Sequence, residues 1–170
     1  SCWKKFKFLN KYSIGIEISN PGHNYKYTKF SNEQLESIIK LSRYLIKKYK
    51  IKSSHILGHS DIAPDRKKDP GEKFPWELLS KRKIGLWHNV PKNILKKNRK
   101  VKLNFIDKKI FFNNLFKIGY MDEKKKIYDN KRYSNFLIKA FQRRFRQELI
   151  NGKTDRECLI ISNNLVKKFN

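Results

Sequence analysis

His59 and Asp69 lie in one polar loop, GHSDIAPDRKKDPG, which runs from Gly58 to Gly71. An imidazole nitrogen with a carboxylate oxygen suits a divalent ion such as Zn²⁺, which takes three protein ligands and an open position when catalytic. Asp69 precedes Pro70, which biases it towards an extended backbone, and Gly58 relieves crowding just before His59. The same pair would also serve as a loop histidine bonded to a carbonyl and a turn former. Lys67 suits a developing negative charge beside a metal, or is a solvated charge in the basic run from Arg66 to Lys73. Asp61 suits the loop's own backbone amides, in an Asx-type role; Asp65 has no role beyond solubility.

A second carboxylate comes from the stretch SIGIEI at 13–18. Ile14, Ile16 and Ile18 alternate with Ser13, Gly15 and Glu17, which predicts a strand with one buried face. On the other face Glu17, beside a residue with no side chain, could act as general base on a water activated by a metal. It would equally be a half-exposed sheet carboxylate. Asn20-Pro21-Gly22 ends the strand with turn chemistry.

The elements that must position these groups follow from periodicity. Ser31 and Gln34 form a capping box, after which Leu35, Ile38, Ile39, Leu45, Ile46 and Tyr49 recur at helical spacing. Residues 51–57 read as a short strand feeding the loop, and Pro75 suits the first turn of a short helix begun at Phe74-Pro75-Trp76. Residues 89–109 are Lys- and Asn-rich with weak periodicity and read as a linker. Three helical segments follow. The first covers 108–118. The second carries a stripe of Tyr133, Phe136, Leu137, Ala140, Phe141 and Phe145. The third opens on a capping box from Thr154 to Glu157, with Cys158, Ile161, Leu165 and Phe169 as its stripe. The domains expected are thus 1–88, the linker 89–109, and a small helical domain 110–170.

The chain has 170 residues, 38% of them hydrophobic and 14% aromatic, enough to bury a core. No apolar run reaches the roughly 18–20 residues that span a bilayer, so no transmembrane segment is expected. Net charge is +26, a field that attracts polyanions. Among the 41 basic residues 32 are Lys and 9 Arg, and Ile, Asn, Phe and Tyr are also plentiful, a pattern that AT-rich coding would equally produce. Two cysteines, Cys2 and Cys158, are too few for a disulfide framework or zinc ribbon, and Cys158 reads as a small core residue.

Taken together, SIGIEISNPGH (13–23), ILGHSDIAPDRKKDPGEKFPW (56–76) and KIGLW (83–87) resemble the zinc-dependent N-acetylmuramoyl-L-alanine amidases of the type 2 (AmiD/AmpD-like) family. The resemblance covers about 1–88, and the tail 140–169 is similar to a peptidoglycan-binding-like three-helix domain. It implies an α/β fold, a mixed central sheet flanked by helices, with the small helical domain appended. It implies hydrolysis of the amide between N-acetylmuramic acid and L-alanine of the stem peptide in peptidoglycan or muropeptides. His59 and Asp69 match zinc ligands, Glu17 the catalytic glutamate, and Lys67 the lysine that assists the tetrahedral intermediate. Asn20 and His23 match the substrate groove, and His55 matches no functional position.

The family's first zinc histidine has no match upstream of His23. The expectation is N-terminal truncation, with the first strand missing and weak or no activity in the chain as given. The alternatives are a metal-free or truncated peptidoglycan-binding module and, ranked last, a basic nucleic-acid-binding protein built on Phe141–Arg146. The expected setting is the cell envelope or periplasm, or the cytoplasm for a muropeptide-recycling enzyme. A monomer is expected.

Overall fold

The structure is a computed structural model that describes residues 2–4, 6–120 and 130–169. Among the described residues its elements are a hairpin of β1 (Cys2–Trp3) and β2 (Phe6–Lys7), seven α-helices and two short 3₁₀ turns. The α-helices are α1 (Asn32–Tyr49), α2 (His59–Ile62), α3 (Trp76–Lys81), α4 (Lys92–Asn98), α5 (Phe105–Ile118), α6 (Lys131–Phe145) and α7 (Arg156–Phe169). Among the described residues the sheet is this one antiparallel pair, with Cys2 opposite Lys7 and Trp3 opposite Phe6.

The α/β fold with a mixed central sheet is therefore corrected: the described residues fold as helices beside a hairpin of two two-residue strands. The alternating stretch 13–18 lies outside any ladder, and its apolar side is not buried: Ile14 is 50% and Ile16 40% exposed. Alternation describes which residues would share a face, but a strand needs a neighbour to bond its backbone. The described residues supply none at this place. Likewise, within the expected strand 51–57 the chain makes a 3₁₀ turn, Ser53–His55.

α1 forms as its sequence predicts. The Gln34 amide donates to Ser31 Oγ at 3.2 Å, and the Ser31 amide donates to Gln34 Oε1 at 2.9 Å. Ile38 is buried, packed with Phe30, Phe74, Trp76, Leu79 and Ile84, while Ile18, Leu35, Ile39 and Ile46 lie against that cluster. The Gln34 side chain also donates to Ser19 O at 2.7 Å, so the start of α1 holds the stretch that carries Glu17.

A second cluster sits between α5, α6 and α7, with Phe111, Leu115, Ile118, Leu137, Phe141, Phe145, Ile161 and Leu165 at its centre. The N-terminal hairpin joins it through Trp3, whose ring meets Tyr120 at 5.1 Å and Phe169 at 6.2 Å. Stretch 89–109 holds α4 and buries Leu95 and Leu103 in this cluster. The Arg99 guanidinium there grips Glu157 through two bonds of 2.7 Å. The cap of α7 falls on Asp155, which accepts from the Cys158 amide at 3.0 Å, rather than on Thr154. Cys158 is buried as expected, and burial pushes its thiol pKa up to about 12.

Candidate active site

The loop of residues 58–71 closes back on itself. α2 is one turn long, and its first residue is His59. The Ser60 amide donates to Asp69 O at 2.9 Å, which brings the far end of the loop beside α2. The His59 Nδ1 and Asp69 Oδ2 atoms consequently lie 3.0 Å apart, with both side chains partly open to solvent. Gly58 matters sterically: a Cβ there would sit 2.8 Å from Pro70 Cδ and 3.3 Å from Trp76.

This pair has the donor types of a zinc site. Its separation is close to the roughly 3.3 Å edge of a tetrahedron with metal–ligand bonds near 2.0 Å. It fits two corners of such a site. Among the described residues no group of three or more His, Cys, Asp or Glu side chains could hold a metal ion. Lys67 is half-buried, in the turn after α2, its amide donating to Ala63 O at 3.0 Å. Glu17 is exposed on the 13–18 stretch, next to Ile18, which packs on the α1 cluster.

Asn20 and His23 lie on a turn docked against the same loop. The Asn20 side-chain carbonyl accepts from the Gly22 amide at 3.0 Å, and its amide donates to Thr28 O at 3.2 Å. His23 Nε2 lies 3.0 Å from Glu72 Oε2, and its ring rests on Tyr27 at 4.5 Å. The Tyr27 hydroxyl donates to Pro70 O at 2.8 Å and accepts from the Lys73 amide at 3.0 Å. A side chain on Gly71, whose φ is +85°, would collide with that hydroxyl. From α6, Arg143 Nε reaches within 4.0 Å of Glu72. Burial raises the Glu72 pKa, but the hydrogen bond to His23, a backbone bond and the His23 and Arg143 charges outweigh it, leaving a net lowering. Burial raises the Tyr27 pKa.

The sequence reading missed Tyr27, Glu72 and Arg143, since none stands in a recognisable spacing. Asp61 does meet its expected role, accepting from the Gly58 amide at 2.8 Å, but it also binds Arg144 and Tyr120. His55 is exposed, its ring edge-on to Phe6 at 5.8 Å, and burial and then the Lys4 and Lys52 charges lower its pKa. Asp65 is exposed.

Residues 2–72 match the family model described as N-acetylmuramoyl-L-alanine amidase. N-acetylmuramoyl-L-alanine amidase AmiD of Escherichia coli K12 is 33% identical over 99% of this chain, and the chain covers 62% of it. Residues 2–72 thus match the N-acetylmuramoyl-L-alanine amidases, and the chain is similar to AmiD over nearly its whole length. A 1,6-anhydro-N-acetylmuramyl-L-alanine amidase AmpD from Enterobacter cloacae is 40% identical over 39% of this chain and 34% of its own length. A solved complex of the E. coli AmiD with anhydro-N-acetylmuramic acid-L-Ala-D-γ-Glu-L-Lys superposes with a TM-score of 0.84 at 32% identity, over 98% of this chain and 66% of that one. The chain thus spans under two thirds of these relatives. Enzymes of this family are generally zinc-dependent. Among the described residues no helix is long and apolar enough to cross a membrane.

Proposed function

We propose that the protein hydrolyses the amide between N-acetylmuramic acid and L-alanine of the stem peptide. The observation that carries this is the approach of His59 to Asp69 within the loop that resembles the family's metal loop. In this reading His59 and Asp69 hold Zn²⁺, which when bound supplies Lewis acidity and makes water a stronger acid. Glu17 takes a proton from the attacking water and passes it to the leaving nitrogen as the C–N bond breaks. The Lys67 ammonium stabilises the oxyanion. Asn20 and His23 line the groove. The division into an amidase portion 1–88, a connector 89–109 and a wall-binding-like portion 110–170 belongs to the same reading. The envelope or periplasm is the setting it favours, because the tail is similar to a wall-binding domain; a cytoplasmic recycling role is the alternative. We also take the protein to act as a monomer.

A second reading, a peptidoglycan-binding module without catalysis, draws on the two-ligand pair: a catalytic zinc normally has three protein ligands. One experiment separates them. Purified protein is incubated with muropeptides and Zn²⁺, and released stem peptide is measured by mass spectrometry, with binding measured in parallel. Release by the wild type, lost in Glu17→Ala with metal content unchanged, is expected of the amidase. Full turnover by Glu17→Ala would refute the assigned base. Retention on peptidoglycan with no release would favour the binding module.

A further inference from the structure

One of the buried ion pairs among the described residues lies under the His59 turn. Asp61 is 1% exposed and Arg144, from α6, is 2% exposed. Asp61 Oδ1 accepts from the Tyr120 hydroxyl at 2.5 Å. Asp61 Oδ2 accepts from the Gly58 amide at 2.8 Å and from Arg144. The other arm of Arg144 donates to Ile56 O at 2.9 Å, and its guanidinium lies 4.0 Å from the centre of the Trp76 ring. The backbone is thus held before His59, at Ile56 and Gly58, and after it, at Asp61. The holding groups come from α6 and from the residue that follows Gly119 at the end of α5.

Stability alone does not call for such an arrangement. Replacing a buried ion pair with apolar residues of similar volume is often neutral or stabilising. An apolar filler would not bond Ile56 O and the Gly58 amide in fixed places. A second buried ion pair provides the contrast: Arg146, 1% exposed, binds Asp155, Glu157 and Asn151, around the start of α7. The two networks match in burial and differ in what they hold.

We propose that Arg144 and Tyr120, acting through Asp61, are positioning residues for His59, so that the helical region completes the candidate site. This rests on the metal-loop reading above. Tyr120 is suited to the role, since burial and then the Asp61 charge raise its pKa well above the usual range and keep it a donor.

The test uses the full chain as wild type, Tyr120→Phe, Arg144→Lys and, as a matched control, Asp155→Asn. Amide hydrogen exchange of residues 56–63 is measured with Zn²⁺ affinity, by chelator competition, and thermal stability. Tyr120→Phe and Arg144→Lys should speed exchange at Gly58, Asp61 and Ala63, leave α7 unchanged, and weaken Zn²⁺ binding by about tenfold, as for groups that orient a metal ligand. Asp155→Asn should lower the melting temperature without either effect. Unchanged exchange at 58–63 in both test variants, or an equal change in Asp155→Asn, would overturn the proposal. If the wild type binds no Zn²⁺ the metal reading fails, and the exchange pattern still decides the positioning. Tyr120→Phe removes one hydroxyl and keeps the ring. Should neither test variant fold, the wild type decides: exchange at Gly58 and Ala63 as fast as in the exposed turn after Ala63 would sink the proposal.

Discussion

His23 and Glu72 show how a side chain's worth depends on what the fold sets beside it. Their contact at 3.0 Å, with Arg143 behind it, holds the Glu72 carboxyl below its ordinary value of 4.5. A lowered carboxyl pKa means that the folded state binds its proton less readily than the unfolded chain. The stabilisation is therefore complete above the ordinary value and is lost as pH falls through the folded one. We expect Glu72→Gln to flatten the acid limb of melting temperature against pH below about pH 4.5. An acid limb as steep as in the wild type would show that the contact carries no linkage. At this scale the loop's candidates were legible: His59, Asp69 and Asp61 announced themselves by type and by the Gly and Pro around them. Tyr27, Glu72 and Arg143 were not, because each acquires its role from a partner distant in the chain.

At the scale of elements, α1 and the 13–18 stretch make the useful contrast. A capping box depends on residues three apart, and Ser31 with Gln34 formed it as read. Ser31→Ala should cost about 1 kcal/mol, and so lower the melting temperature by roughly 2–4 °C. An unchanged melting curve would show that α1 is held by its buried face alone. The strand expectation failed at 13–18 because a ladder needs a second chain segment, which no local pattern specifies. Ile14 and Ile16 thus kept their alternation and lost their burial. The helices α6 and α7 fared better, since 3.6-residue stripes need only one apolar surface to lie against.

The whole molecule is organised around the helical core. Phe141 is fully buried, meeting Phe111 at 5.3 Å, Phe145 at 5.3 Å and Tyr120 at 6.2 Å. Phe141→Ala should cost about 3–5 kcal/mol, enough to lower the midpoint of thermal unfolding by roughly 10 °C. A loss under about 1 kcal/mol would mean that the site collapses around the cavity. The run Phe141–Arg146 also shows what net charge conceals. Arg143, Arg144 and Arg146 are only 9%, 2% and 1% exposed, engaged with Glu72, Asp61, Asp155 and Glu157. The +26 charge is thus a property of the surface lysines more than of this arginine-rich run.

The sequence by itself determined the capping box of α1, the helical stripes of α6 and α7, the polar loop with its candidate pair and the resemblance to the amidases. All of these are written in residues close together or in motifs that stand in order. Only the tertiary structure decided that Asp61 answers to an arginine 83 residues away, that His23 rests against Glu72, and that Ile14 and Ile16 stay exposed. The physical reason is range. Local backbone preferences act over a few residues, whereas burial and ion pairing are set by which distant segments the fold brings together.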